Sequence, residues 1–124
     1  MSAPSAASKV GSRTYCPSLT SYERWRTRAV QIGSAGIGGD NPIRVQSMTT
    51  ADTMDTEATV AQSIRMIEAG CELVRITAPS KKEAENLAEI KKRIRTAGFD
   101  TPLVADIHFT PNAAEVAARI VEKV

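Results

Sequence analysis

Three short runs of aliphatic and β-branched residues, Ile43–Thr49, Leu73–Thr77 and Leu103–His108, punctuate this chain. They recur about every 30 residues, the size of one strand-helix unit in a parallel sheet. A helical pattern follows each run. After the first, Asp55 is placed to cap a helix whose apolar residues Val60, Ala61, Ile64 and Ile67 recur at helical spacing, with Gly70 as the left-handed stop. After the second, Ser80-Lys81-Lys82-Glu83 has the form of a capping box and leads into Leu87, Ile90 and Ile94, ending at Gly98. The third pattern opens with Thr110 as cap and Pro111 at the first helical position, then runs through Ala113, Ala117, Ile120, Val121 and Val124. Hairpins have no room between these units, so the pattern predicts an α/β fold with a parallel sheet. Upstream, Ala29–Gly33 and Gly36–Gly39, joined by Ser34-Ala35, predict a small hairpin suited to plugging the N-terminal mouth of a barrel.

Alternation along each strand assigns the two faces of the sheet. Val74 and Ile76 share one face, which leaves Leu73, Arg75 and Thr77 on the other; Ala105 and Ile107 oppose Val104, Asp106 and His108. In the first strand Val45 opposes Arg44, Gln46 and Met48. If the apolar faces meet the helices, Gln46, Arg75, Asp106 and His108 all point to the opposite side, a barrel lumen or a second sheet face. A charge such as Arg75 in a covered strand is costly unless it is paired or receives an anion, and Asp106 on the neighbouring strand is its expected partner. His108, the chain's single histidine, follows that carboxylate at a strand end, where parallel α/β folds keep their chemistry. A lone histidine is more often structural; its neighbours Asp106 and Arg75 raise the weight of a functional reading. Gln46, Ser47 and Thr49 have a plainer role open to them, satisfying backbone groups in the first loop.

Composition narrows the possibilities. The 124 residues, 42% hydrophobic and 24% charged, suit one domain, and no stretch approaches a membrane span. Five of the basic residues, against the single acid Glu23, lie in residues 1–28, so the net charge of +2 hides an acidic remainder. That balance, with Phe99 and Phe109 the only aromatics beyond Trp25, argues against a nucleic-acid surface. Lys81, Lys82, Lys91, Lys92, Arg93 and Arg95 are expected to form a solvated helix face. Cys16 and Cys71 are too far apart and too differently placed to make a metal pair, and Cys71 is expected as a small buried residue in a reducing compartment. No metal site can be assembled from one histidine and these cysteines. Gly38-Gly39-Asp40-Asn41-Pro42 precedes a strand instead of a helix, so it is not a phosphate loop, and turn glycines account for it. Residues 1–27 are expected to be a flexible extension, with residues 1–18 disordered in character.

Taken in order, Gly38–Thr50, Glu57-Ala58-Thr59-Val60, Glu68-Ala69-Gly70 with Val74-Arg75-Ile76, and Pro102–Phe109 closely resemble the start of the 4-hydroxy-3-methylbut-2-enyl diphosphate synthase family, the iron-sulfur enzymes of the non-mevalonate isoprenoid pathway. The resemblance runs from about Arg28 to Val124, and Thr53–Thr56 and Thr110–Ala114 look most like its long, three-domain form. It implies the N-terminal portion of a (β/α)8 TIM barrel: a hairpin at residues 28–42, then three βα units over residues 43–124. It further implies a reductive ring opening of 2-C-methyl-D-erythritol 2,4-cyclodiphosphate, with electrons from ferredoxin or flavodoxin. In that family a C-terminal domain carries a 4Fe-4S cluster on three cysteines and a glutamate. Arg75 matches the family's arginine that grips the diphosphate, and His108 and Asp106 match its third-strand motif beside the phosphates.

The remaining βα units, the catalytic glutamate and the cluster ligands are expected beyond Val124. By this reading the fragment alone has no activity, the full-length protein is a homodimer, and its setting is the bacterial cytoplasm, with a plastid as the lesser option. The alternatives are a small non-catalytic α/β module that captures an anion with Arg75 and His108, or an inactive fragment.

Overall fold

The computed structural model describes residue 16 and residues 18–124, so part of the expected N-terminal extension lies outside the described residues. Two strands open the fold, β1 (Val30–Ile32) and β2 (Ala35–Ile37), paired antiparallel with Ile32 opposite Ala35. The turn is therefore Gly33-Ser34, not Ser34-Ala35. Gly33 takes φ +55°, and a Cβ there would lie 3.1 Å from the Pro102 side chain, so a tight turn sits directly against the start of a later strand. Within the segment expected as an extension, the Arg24 Nη1 donates to the Asn41 carbonyl at 3.0 Å, and the Thr27 hydroxyl accepts from the Gly39 N–H at 3.1 Å.

Three βα units follow: β3 (Gln46–Met48) with α1 (Thr56–Glu68), β4 (Leu73–Ala78) with α2 (Lys81–Thr96), and β5 (Leu103–Ile107) with α3 (Pro111–Ala118). Their strands form one parallel sheet in the order β3-β4-β5. Among the described residues the sheet is open and does not close into a barrel. Val74, Ile76 and Ala78 of β4 and Leu103 and Ala105 of β5 pack under Ala84, Leu87, Ile90 and Ile94 of α2 and Ala113 and Ala117 of α3, forming the main core. Burying each of the larger aliphatic side chains contributes about 1.5–3 kcal/mol. On the other face Leu73 and Val104 pack with Ile32, which seats the hairpin over the strands' N-terminal ends.

Several local expectations change. Regular pairing in the first strand covers only Gln46–Met48, because just one side of it meets a partner; Ile43 and Val45 are exposed. Helix α1 is capped by Asp55, whose carboxylate accepts the Ala58 N–H at 3.1 Å. Its fully buried residues, however, are Thr59 and Ser63, while Ala61 is exposed. Both hydroxyls are satisfied, Thr59 Oγ1 donating to the Asp52 carbonyl at 2.9 Å and Ser63 Oγ to the Thr59 carbonyl at 2.8 Å. Their burial thus leaves no unpaired donor. Neither Ser80 nor Thr110 caps its helix through the side chain. The Ser80 hydroxyl donates to the Glu83 carboxylate, and the Thr110 hydroxyl bonds the Pro79 and His108 carbonyls.

The third helix stops at Ala118 and does not run to Val124. The chain turns back, and Lys123 forms a parallel bridge to Val104, its carbonyl accepting the Ala105 N–H at 2.9 Å. This also removes Lys91 and Arg95 from the expected solvated face. Both reach Glu122, at 3.0 and 2.8 Å, and that carboxylate accepts the Leu103 N–H at 2.9 Å as well. Burial is the largest influence on Glu122 and pushes its pKa up. The Leu103 N–H and Lys91 outweigh it, so the net direction is down.

Candidate functional site

The helix-free face of the sheet carries polar groups from the start of β3 (Gln46) through the middle of β4 (Arg75) to the C-terminal end of β5 (Asp106 and His108). Register explains how they meet. Met48 lies opposite Arg75, Arg75 opposite Val104, and Thr77 opposite Asp106, so Arg75 and Asp106 are diagonal neighbours on adjacent strands. The Arg75 Nη2 lies 2.9 Å from the Asp106 Oδ1. The second carboxylate oxygen, Oδ2, lies 3.1 Å from the His108 Nε2. One carboxylate therefore holds a guanidinium and an imidazole on its two oxygens.

Burial differs across the three groups. The Asp106 side chain is 13% exposed, whereas Arg75 and His108 are 42% and 52% exposed. The carboxylate sits at the base and presents two nitrogen-rich groups to solvent. The bond from Arg75 is the chief reason that the Asp106 carboxyl is held below the usual range, with the bond from His108 second and burial opposing both. An ionised carboxylate only accepts, so the His108 Nε2 carries the hydrogen, and the Nδ1 is its free polar atom. Gln46 completes the group. It lines a shallow cavity of about 330 Å³ together with Arg75, Val104, Asp106 and Lys123.

The loop after β5 is shaped around this cluster. Phe109 has φ +55°, in the left-handed region, and its ring is fully exposed. Thr110 ties the loop down by bonding the Pro79 carbonyl in the preceding strand-helix loop at 3.0 Å. The loop after β3 is tied from within: the Gln62 Oε1 accepts the N–H groups of Thr50 and Ala51 at 2.9 and 3.0 Å. Thr49, whose N–H donates to the Arg75 carbonyl at 2.9 Å, extends the ladder past β3. These bonds give Thr49 a structural role. They leave Gln46, whose side-chain amide bonds no other described residue, turned to the cavity.

The four residues singled out from sequence thus share one face, three of them joined by direct contacts and Gln46 beside them. Lys123 was not anticipated there, because helical spacing placed it in the last helix. Nothing short of the bridge to Val104 signals its position. Cys71 is buried, its thiol donating to the Leu73 carbonyl at 2.7 Å, and Cys16 is exposed elsewhere. Among the described residues, no three of His, Cys, Asp and Glu are grouped to hold a metal, so this part of the protein does not fit a cluster-binding role.

Comparison with known proteins gives a consistent result. The family model described as the GcpE TIM-barrel domain matches residues 27–124. Proteins named 4-hydroxy-3-methylbut-2-en-1-yl diphosphate synthase (flavodoxin) are similar throughout. That of Parabacteroides distasonis is 59% identical over 83% of this chain and 17% of its own length. The protein of Akkermansia muciniphila is 53% identical over 90% of the chain and 19% of its own length. For Chlorobaculum tepidum the figures are 52%, 89% and 15%. The chain therefore spans less than a fifth of these curated relatives.

Proposed function

The chain belongs to the GcpE TIM-barrel domain family, and from that premise we propose that it supplies part of the diphosphate-binding wall of a 4-hydroxy-3-methylbut-2-enyl diphosphate synthase. The activity is the reductive ring opening of 2-C-methyl-D-erythritol 2,4-cyclodiphosphate, in the bacterial cytoplasm. The observation that carries this reading is the convergence of Arg75, from the middle of β4, on Asp106 and His108 at the C-terminal end of the neighbouring parallel strand β5.

The roles follow from the donors each group offers. The Arg75 guanidinium has five N–H donors in a planar fork, and its pairing with Asp106 leaves the outer ones for phosphoryl oxygens. Asp106 is a positioning residue: it fixes the direction of the guanidinium and the ring orientation of His108. His108, held through its Nε2 by Asp106, presents its second ring nitrogen to a phosphate oxygen. Gln46 contributes an amide able to donate or accept at the cavity's edge. The reduction itself belongs to a 4Fe-4S cluster in the full-length family, and no described residue here is suited to ligate it. The relatives' names give flavodoxin as electron donor; we extend that donor, with ferredoxin as the other candidate, to the intact protein.

Calorimetric titration of the intact protein with the cyclodiphosphate tests the assignment. Arg75→Ala is expected to weaken binding by about tenfold or more, the worth of a charge-assisted hydrogen bond. Equal affinity in parent and variant would take Arg75 out of the site.

A further inference from the structure

Lys123 stands in line with Arg75. The register runs Met48 to Arg75, Arg75 to Val104 and Val104 to Lys123, one row across four adjacent parallel segments. Two backbone bonds hold the last step, Ala105 N–H to the Lys123 carbonyl at 2.9 Å and Lys123 N–H to the Leu103 carbonyl at 3.3 Å. Residues paired in a parallel ladder present their side chains to the same face. Val104 faces away from the helices, packing with Ile32 and Leu73, so Lys123 does too. It lines the cavity that Arg75, Asp106 and Gln46 line.

Spacing gives the pair a use. Two strand separations put the Arg75 and Lys123 Cα atoms roughly 10 Å apart, with the short apolar Val104 between them. Both side chains are long enough to lean over that valine toward one ligand. The Arg75 charge is partly offset by Asp106, whereas the Lys123 ammonium pairs with no carboxylate among the described residues. A row of cation, apolar floor and cation suits an anion with two charged centres better than an anion with one.

Resting on the diphosphate-wall reading above, we infer that Lys123 is a second cationic contact of this site and sets its preference for diphosphate over monophosphate. Arg75 receives one phosphoryl group in a fork, and Lys123 meets the other as a point charge. A monophosphate engages Arg75 alone and gains little from the lysine.

The test uses inorganic pyrophosphate and orthophosphate as calorimetric probes on the intact protein, comparing the parent with Lys123→Met, Lys123→Arg and Arg75→Ala. Methionine keeps the stem's bulk, and the ladder bonds are made by backbone, so circular dichroism should be unchanged. The expected result is a loss of about tenfold in pyrophosphate affinity for Lys123→Met, a change under about twofold for orthophosphate, and recovery in Lys123→Arg. If Arg75→Ala weakens pyrophosphate while Lys123→Met does not, the lysine's role is overturned and the diphosphate wall stands. An equal loss for both probes would also overturn it, since that is a general charge effect. Indifference of pyrophosphate binding to all three variants would remove the wall itself.

Discussion

Asp106 illustrates how one side chain can be legible in sequence while its energetics are not. Alternation placed it beside Arg75 and His108, and the contacts at 2.9 and 3.1 Å follow from that placement. What alternation does not carry is exposure: Arg75 and His108 are about half open to solvent, so the network orients groups more than it stabilises the fold. Because the Arg75 side of the pair is well solvated, its contribution is under about 1 kcal/mol. Asp106 has a lowered pKa in the folded state, so its stabilisation is complete above the unfolded aspartate value of about 3.9 and is lost as pH falls through the lower native value. Urea melts of parent and Asp106→Asn from pH 6 down to pH 3 are expected to differ most at the upper end, the gap narrowing as pH falls below the unfolded value. A gap that widens on acidification would show that the carboxylate is not held ionised by Arg75.

Helices and strands were legible where a single pattern governed them, and misjudged where a tertiary contact overrode it. Helix α2, with Leu87, Ile90 and Ile94 all fully buried, matches its periodicity because its apolar stripe meets the sheet directly. Helix α1 departs from its pattern because Thr59 and Ser63 turn their hydroxyls to backbone carbonyls, and a small satisfied side chain packs as readily as an apolar one. Past Ala118 the apolar spacing persists, but strand pairing and the Glu122 carboxylate claim the backbone instead. Glu122 thereby fixes the start of β5 against the segment that follows α3, through Leu103, Lys91 and Arg95. Glu122→Ala leaves the Leu103 N–H without its acceptor and two cations without their partner. It is expected to cost about 2–3 kcal/mol. Loss of hydrogen-exchange protection at the Leu103 amide, beside a lowered urea midpoint, is the measurement; full retained protection would mean that Glu122 does not hold the strand.

The fold's least protected features are its sheet edges and its hairpin face. Parallel sheets normally have both faces covered and their edges paired, because bare strand edges template association. Among the described residues β3 presents one unpaired edge, flanked by the exposed side chains of Ile43, Val45 and Met48, and β5 is met on its outer side by the short segment at Glu122 and Lys123. The face carrying Arg75, Asp106 and His108 is covered, among the described residues, at its base, where Ile32 meets Leu73 and Val104. The TIM-barrel family match supplies what such edges need, further strands from the same barrel. Residues 1–124 produced alone are therefore expected to unfold at low urea or to associate. Circular dichroism during a urea titration, with sedimentation at several concentrations, decides between this and self-sufficiency. A cooperative transition of a monomer, independent of concentration, would mean that the α2-centred core suffices and that the open edges carry no penalty. Should the edges prove costly, the substrate contacts inherit the problem, since Arg75 and Lys123 hold their spacing only while β4, β5 and the segment at Lys123 remain in register.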